Sequence, residues 1–305
     1  MLCRRLCLAV ALVVACIVVP AGSAAAAEPL PVEYNGITGY AHASPTASPP
    51  GANDPTCRVR HGHHPRPVVL VHGTFANMAD SWQALSPLLV NNGYCVLALN
   101  YGSSNGSGEL GIDATGDIAH SAEELSTFVD SVLAATGAKK VDMVGHSQGG
   151  MMPRYYLRFL GGAAKVHTLV GLAPSNHGTT VNGLFTLGSF FSGANAFFGF
   201  CVACEEQEAG SPFLTALNAG SETVKGIHYT VIESANDEVV TPYTSAFLSG
   251  RKVTNIKLQD QCSEDQGEHL SMPYDHIADA DVLNALDPKH PVPVTCSAVL
   301  PIVGG

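Results

Sequence analysis

The chain has 305 residues, of which 46% are hydrophobic and 13% are charged, so it contains enough apolar material for a large buried core. Asp and Glu number 26 against 15 Lys and Arg, which gives a formal net charge of -11. A nucleic-acid-binding protein needs a basic patch or a run of Lys and Arg, and the sequence has neither. The composition therefore excludes nucleic acid as a partner.

The start of the chain is typical of an export signal. Arg4 and Arg5 form a short basic segment, an apolar run covers residues 6–19, and small residues follow. The apolar run is shorter than the ~20 residues that a membrane-spanning helix needs. A lipoprotein signal at Cys16 is the alternative, but the apolar run continues past that cysteine. We therefore expect a signal peptide over residues 1–27 and a secreted protein without an integral membrane span.

Six cysteines remain once the signal is removed, and an even number in an exported chain favours disulfides over free thiols. Cys201 and Cys204 have the spacing that zinc and redox sites also use. Zinc would need a second such pair or a nearby pair of histidines, which the sequence lacks, so a local disulfide is favoured. The other four are Cys57, Cys95, Cys262 and Cys296.

A stretch rich in Pro, Ser and Ala covers residues 28–64, and it predicts an extended lead-in. Buried strands and amphipathic helices then alternate. Strands are predicted over 68–71, 95–99, 141–144, 167–172 and 229–232, and helices over 81–91, 113–136, 151–160 and 277–286. Such alternation predicts the α/β class, with a mostly parallel central sheet flanked by helices, in one domain over residues 65–305.

Residues 182–213 interrupt this regularity, because they carry many phenylalanines among Gly and Ser without a helical or strand period. Aromatic side chains in an irregular segment are costly to leave in water. They either fill the core from a loop or line an apolar site, and the sequence leaves both open. We expect an aromatic-rich excursion that serves as a lid, a cap or an acyl-binding wall.

Ser147 is the candidate nucleophile. It lies in Gly-His-Ser-Gln-Gly, residues 145–149, directly after a predicted buried strand and directly before a predicted helix. The glycines allow the chain to turn sharply there, which exposes the serine hydroxyl at the carboxyl edge of the sheet. This context predicts a nucleophile elbow rather than an ordinary glycine-rich turn.

A serine nucleophile needs a base and a carboxylate, and in this fold they follow in the order Ser, Asp, His. Asp237 follows a late strand, but Glu233 and Glu238 are close to it, and the spacing does not separate the three. His269 precedes the last helix and is favoured over His276, which falls at the start of that helix. His228 precedes Asp237, which is the wrong order.

The developing oxyanion needs two preorganised donors. The backbone N–H of Gln148, the residue after the nucleophile, is one. The backbone N–H of Thr74, after the first strand and Gly73, is the other, and its hydroxyl can add a third donor. His72 and His146 each adjoin a tight turn, where packing and orienting the loop is the favoured role.

At these positions the sequence resembles the secreted bacterial class 2 lipases of actinobacterial type, within the α/β-hydrolase superfamily. The resemblance runs through five segments in family order, at residues 72–74, 145–150, 173–179, 237–242 and 268–270. It implies Ser147, Asp237 and His269 as a catalytic triad, with Thr74 and Gln148 as oxyanion donors. It implies neither a cofactor nor a metal.

A more distant resemblance to fungal lipase B implies disulfides Cys57–Cys95 and Cys262–Cys296, which leaves Cys201–Cys204 as a local pair. Together these resemblances imply a lipase that acts as a monomer on triacylglycerol or other long-acyl esters, at an oil–water interface. A short-chain esterase and a polyester or cutin hydrolase are the nearest alternatives. An acyltransferase and a non-catalytic surface-binding protein are weaker ones.

Overall fold

The computed structural model describes residues 28–42, 44–59, 64–191 and 198–305, so the predicted signal peptide lies outside the described residues. The described residues form a six-stranded sheet in the order β2-β1-β3-β4-β5-β6, with every neighbouring pair parallel. The strands are β1 Val68–Val71, β2 Val96–Leu99, β3 Val141–His146, β4 Val166–Leu172, β5 His228–Glu233 and β6 Val253–Lys257. The predicted α/β fold is confirmed.

Helices cover both faces of this sheet. They are α1 Gly36–His42, α2 Met78–Ser81, α3 Leu85–Asn91, α4 Ile118–Thr136, α5 Gln148–Phe159, α6 Val181–Phe190, α7 Val202–Glu206, α8 Pro212–Asn218, α9 Leu258–Gln261 and α10 His276–Leu286. The alternation of side chains along each strand divides the core in two. Val69 and Val71 face α4 and α5, whereas Val68 and Leu70 face α3 and α10.

Several elements differ from the sequence prediction. The helix expected over 81–91 is two helices, because the ring of Pro87 would clash with the carbonyl of residue 83 in a continuous helix. The lead-in is not extended throughout, since it contains α1. Strand β6 escaped prediction because its side chains are only half-buried or exposed, so it lacks the continuous apolar run of a central strand.

The aromatic excursion also has more structure than its sequence suggests, because it contains α6, α7 and the start of α8. Each of these helices is short and capped by a side chain. Thr180 accepts from the N–H of Gly183, and Ser211 accepts from the N–H of Leu214. Capping by Ser and Thr satisfies backbone donors that a short helix leaves free. Local caps, rather than a sustained apolar period, therefore define this segment.

The three disulfides suggested by the sequence are present. Cys57–Cys95 ties the lead-in to the start of β2, Cys201–Cys204 closes a tight loop before α7, and Cys262–Cys296 joins the end of α9 to the C-terminal segment. The third bridge closes the segment that contains His269. Cross-links of this kind stabilise a fold by restricting the unfolded chain.

The strand order places the candidate site. From β1 the chain moves outward to β2, then returns past β1 to β3 and proceeds in the opposite direction. The carboxyl ends of β1 and β3 therefore flank the point where the order reverses, and ligands of open α/β sheets bind at such points. Thr74 follows β1 and Ser147 follows β3, so the topology brings these two residues to the same crevice.

Candidate active site

Ser147 occupies a strained turn between β3 and α5. Its φ of 56° and ψ of -124° lie where a non-glycine residue is rarely found. The chain can turn this sharply because residue 145 is a glycine. A Cβ at this position would lie only 1.8 Å from the carbonyl oxygen of Gly149. Helix α5 starts at Gln148, three residues earlier than the sequence predicted, so the serine directly precedes its N-terminus. This is the geometry of a nucleophile elbow.

Asp237 and His269 form a buried hydrogen-bonded pair at the same edge of the sheet. The Nδ1 of His269 lies 2.7 Å from Oδ2 of Asp237, and both side chains are fully buried. The other carboxylate oxygen accepts the N–H groups of Val239 and Val240, each at 2.7 Å. Asp237 is thereby fixed by the turn that follows β5, and it in turn fixes the imidazole.

The electrostatic surroundings of His269 suit a general base. Burial lowers the pKa of this imidazole, but the charge and hydrogen bond of Asp237 outweigh it, so the pKa is raised above its ordinary value of 6.5. With Nδ1 held by the carboxylate, Nε2 remains to accept a proton. Within the described part of the chain, this buried Nε2 has no hydrogen-bond partner.

The competing carboxylates have other surroundings. Glu233 is fully buried at the end of β5, and burial together with the charge of Asp237 raises its pKa well above the ordinary range. Burial and the neighbouring Glu268 raise the pKa of Glu238 to about 8. Neither group is hydrogen-bonded to a histidine among the described residues, whereas Asp237 is.

The competing histidines are engaged elsewhere. The Nδ1 of His276 lies 2.5 Å from the carbonyl of Gly305, at the C-terminus. His228 is exposed at the start of β5 and accepts from Nζ of Lys252 at 2.9 Å. The start of a strand is the opposite edge of the sheet from Ser147. Neither histidine therefore reaches the crevice that contains the elbow.

His72 and His146 have neutral imidazole rings that contact the loops around the candidate site. Burial lowers the pKa of His72 to about 4, and its ring stacks on Tyr101 while Nδ1 lies 2.9 Å from the carbonyl of Gly73. Burial and the nearby His269 lower the pKa of His146 well below the ordinary range. Its Nε2 lies 2.9 Å from the backbone carbonyl of His269. The neutral imidazole donates there and so holds the loop of His269, as the sequence favoured.

The loop after β1 packs against the elbow. A Cβ at Gly73 would lie 3.0 Å from Cβ of Ser147, so only glycine allows this approach without displacement. Thr74 is buried, and no hydrogen bond within the described residues takes up its backbone N–H. The N–H of Gln148 lies in the first turn of α5, where no carbonyl of the same helix can accept it. Two backbone donors therefore flank Ser147.

The hydroxyl of Thr74 is held by two glutamines. Its Oγ1 accepts from Nε2 of Gln148 and from Nε2 of Gln207, each at 2.9 Å. The sequence predicted a backbone role for Gln148 but gave no signal for Gln207, which is in the irregular excursion. Only the fold brings residue 207 next to the loop after β1.

A mostly apolar cavity of about 560 Å³ is lined by residues that neighbour the candidate site in sequence. Phe75 and Leu270 line it, and they directly follow Thr74 and His269 in sequence. Phe190 and Phe191 of the excursion form part of its wall, whereas Phe213 packs on Tyr155 at a ring distance of 5.5 Å. Both roles left open by the sequence therefore occur, since some aromatics line a cavity and another packs against a helix.

Among the described residues, no group of three or more His, Cys, Asp or Glu side chains is arranged to hold a metal ion. No helix in the same residues is long and apolar enough to cross a membrane.

Comparison with known families identifies the group to which this arrangement belongs. Residues 65–279 match the family model described as lipase (class 2). The chain belongs to this family. The resemblance drawn from the sequence motifs is thereby confirmed, and the matched range includes the elbow and both members of the Asp–His pair.

Curated relatives of this class 2 lipase carry the name triacylglycerol lipase. One from Pseudarthrobacter phenanthrenivorans is 40% identical over 94 residues, which is 29% of this chain and 27% of that protein. One from Burkholderia plantarii is 40% identical over 94 residues, which is 24% of its length. The matched segment thus spans about a quarter of the relatives.

Solved structures resemble the chain over a larger part of its length. Aspergillus fumigatus lipase B superposes with a TM-score of 0.59 at 20% identity, covering 84% of this chain and 65% of that protein. A Bacillus licheniformis lipase in its propeptide form gives a TM-score of 0.50 at 15% identity, covering 80% of this chain and 55% of that protein. At such identities the likeness establishes the fold.

Proposed function

We propose that the protein is a secreted serine ester hydrolase that cleaves long-acyl esters, with triacylglycerol as the model substrate. The observation that carries the proposal is the buried His269–Asp237 hydrogen bond at the sheet edge where Ser147 stands on its elbow. Membership of the class 2 lipase family and the names of the curated relatives support the same reaction.

The first half of the reaction forms an acyl-enzyme. Nε2 of His269 removes the hydroxyl proton of Ser147 as its oxygen attacks the ester carbonyl, and Asp237 stabilises the resulting imidazolium. The negative charge that develops on the carbonyl oxygen is stabilised by the N–H groups of Thr74 and Gln148. The intermediate then breaks the ester C–O bond, and His269 returns the proton to the departing alcohol.

The second half regenerates the enzyme. A water molecule gives a proton to His269 as its oxygen attacks the acyl carbonyl, and the same donors stabilise the new oxyanion. Collapse of this intermediate breaks the bond to Ser147, which recovers its proton from His269. The fatty acid leaves, and no cofactor takes part.

The cavity supports a long acyl chain as the preferred substrate. Its volume of about 560 Å³ is typical of a small-molecule site, and Phe75 and Leu270 in its lining directly follow Thr74 and His269 in sequence. Each methylene that is buried there contributes about 0.8 kcal/mol, a factor of about four. The three disulfides support export, because such bridges persist in oxidising compartments.

The test is hydrolysis of p-nitrophenyl esters from acetate to palmitate, with Ser147→Ala as the matched variant. We expect kcat/KM to rise by up to about fourfold per methylene until the cavity is filled. In the variant the rate should fall by at least ~10⁴, because an alanine cannot form the acyl-enzyme. Emulsified triacylglycerol gives the second readout, and product analysis with a competing alcohol measures acyl transfer.

Each contrary result points to one alternative. A rate that peaks at acetate or butyrate, with emulsified triacylglycerol left intact, would replace the lipase by a short-chain esterase. Activity that survives in the Ser147→Ala variant would overturn the elbow assignment. Complete inactivity of both proteins on all esters would favour a non-catalytic binding protein.

A further inference from the structure

A cluster of four buried polar side chains lies behind the loop after β1. Its members are Thr74, Gln148, Ser175 and Gln207, none of them more than 2% exposed. The backbone donors of the proposed oxyanion site do not require such a cluster. Burying a polar side chain costs free energy unless the group is hydrogen-bonded, so the hydrogen bonds within this cluster determine whether it is stable.

The direction of the hydrogen bonds follows from the carbonyl groups around the two amides. Nε2 of Gln148 also donates to the carbonyl of Ala114, at 3.0 Å. Nε2 of Gln207 donates to the carbonyl of Ala203 at 3.0 Å, and its Oε1 accepts from the hydroxyl of Ser175 at 2.8 Å. Turning either amide over would place its oxygen against a carbonyl oxygen. Each amide therefore presents an N–H to Thr74.

This arrangement fixes the hydroxyl proton of Thr74. A hydroxyl oxygen can accept two hydrogen bonds and donate one. Both acceptor positions are taken by the two amides, at 2.9 Å each, so the proton must point away from both glutamines. Among the described residues no acceptor takes this proton. The hydroxyl is thus a buried donor with a preset direction, on the loop where Gly73 packs against Ser147.

We propose that Gln207 is a positioning residue which, together with the side chain of Gln148, presets the Thr74 hydroxyl as a third donor to the oxyanion. The proposal rests on the function proposed above and adds to it a source of transition-state stabilisation. Catalytic donors are effective when they need no reorganisation during the reaction. If Gln207 gave no hydrogen bond, the hydroxyl would have a free acceptor position and could rotate.

The excursion holds Gln207 in place. The N–H of Gln207 donates to the carbonyls of Ala203 and Cys204 at the end of α7, and Cys204 is linked to Cys201 by a disulfide. The N–H of Ala203 donates to the carbonyl of Thr115, in the loop that leads to α4. The disulfide loop is therefore anchored to the main domain immediately before the residue that contacts Thr74.

A double-mutant cycle tests the proposal, with Gln207→Leu, Thr74→Val and the two combined. Valine keeps the shape of threonine but has no hydroxyl, and leucine removes the amide donor. Loss of one oxyanion donor lowers kcat by about 10²-fold, so we expect that loss for Thr74→Val. For Gln207→Leu we expect a loss of about tenfold in kcat at unchanged KM, since the donor is kept but no longer fixed.

The decisive measurement is Gln207→Leu in the Thr74→Val background, where we expect kcat to change by less than about twofold because no hydroxyl remains to be positioned. Inhibition by an alkylboronic acid, which forms a tetrahedral adduct with serine, should weaken in parallel with kcat. An equal loss of kcat in both backgrounds, or a change confined to KM, would make Gln207 merely structural and overturn the proposal.

Failure of the proposed ester hydrolysis would give a different set of results from failure of the Gln207 proposal. If Thr74→Val has full activity, the assignment of the Thr74 hydroxyl as a donor is wrong, and the proposal falls with it. If Ser147→Ala keeps its activity, the proposed function itself is wrong. Should Gln207→Leu fail to fold, Ser175→Ala replaces it in both backgrounds, because this change removes one of the two hydrogen bonds that orient the Gln207 amide.

Discussion

Two regions contribute to the candidate active site, and their geometry arises in different ways. The loops after β1, β3 and β5 carry Thr74, Ser147 and Asp237, and each follows a strand of the central sheet. The described part of the excursion, which contains α6 and α7, has short capped helices and a local disulfide but contributes no strand to this sheet. Nevertheless it supplies Phe190 to the cavity wall and Gln207 to the cluster around Thr74.

The proposed reactive groups and the residues that support them follow different sequence rules. Residues at strand ends are placed by the topology of the sheet, so a motif and its neighbouring strand suffice to locate them. Residues of the excursion are placed by contacts with distant parts of the chain. We therefore expect changes in the first region to abolish catalysis and changes in the second to alter its degree or its specificity.

The largest effect is expected at Asp237. Asp237→Asn should lower kcat by about 10⁴-fold, because an amide no longer stabilises the imidazolium and favours the wrong tautomer of His269. Glu233→Gln is the matched control, since Glu233 is a buried carboxyl at the end of β5, just before the turn that carries the buried Asp237. The raised pKa of Glu233 favours its neutral form, which an amide resembles, so the amide variant should retain activity within about threefold.

Steady-state kinetics on a p-nitrophenyl ester, with the melting temperature of each variant, make this measurement. If Glu233→Gln were the inactive variant and Asp237→Asn the active one, the roles of the two carboxyls would be reversed. That result would place the reacting carboxylate at the end of β5 and not on the turn that follows it.

An intermediate effect is expected at the cavity wall. Phe190→Ala should lower kcat/KM for long-chain esters by about tenfold, since losing part of an aromatic contact costs about 1–1.5 kcal/mol. Acetate esters have no long chain to contact this wall, so we expect their rates to change by less than about twofold. Phe200→Ala is the control, because Phe200 is on the same excursion but 61% exposed and outside the cavity lining.

The measurement is the ratio of kcat/KM for palmitate and acetate esters in the two variants. An equal decrease for both esters in Phe190→Ala would show that Phe190 supports the fold of the excursion instead of contacting the acyl chain. A selective loss in Phe200→Ala would move the acyl site to the outer surface of the excursion.

The difference between the strand-end loops and the excursion also explains which features could be predicted from the sequence. Continuous β-branched runs such as residues 68–71 predict buried parallel strands, and the glycines around Ser147 predict the turn. Spacing alone did not distinguish Asp237 from Glu233, because both lie at the end of one strand. The family resemblance favoured Asp237, and the 2.7 Å hydrogen bond to His269 provides the physical distinction.

Other features were beyond local sequence reasoning. Strand β6 has a half-exposed surface and therefore no hydrophobic pattern of a central strand. The contact between Gln207 and Thr74 joins residues 133 positions apart, and nothing in the local composition of either marks it. The wall formed by Phe190 depends likewise on where α6 packs. Such features follow from tertiary contacts, which a pattern within a short window does not contain.

The smallest effect concerns the loop of His269, near which Asp265 and Asp275 are both buried. Oδ1 of Asp265 accepts the N–H of Gly267 at 2.7 Å, so Asp265 helps to hold this loop. Burial and the charge of Asp265 raise the pKa of Asp275 to about 8, from an ordinary value of 3.8. Between these two values the folded protein keeps a proton that the unfolded chain has lost, so stability falls as pH rises through this window.

Asp275→Asn removes this titration, and asparagine can still accept at the N-terminus of α10, where Asp275 now accepts from Ile277 and Ala278. We expect the melting temperature of the unmodified protein to fall between pH 5 and pH 8, and that of the variant to fall by about 3 °C less. Glu109→Gln, at an exposed carboxyl, is the control for removing one charge. Identical pH dependence in all three proteins would mean that Asp275 holds no extra proton in the folded state.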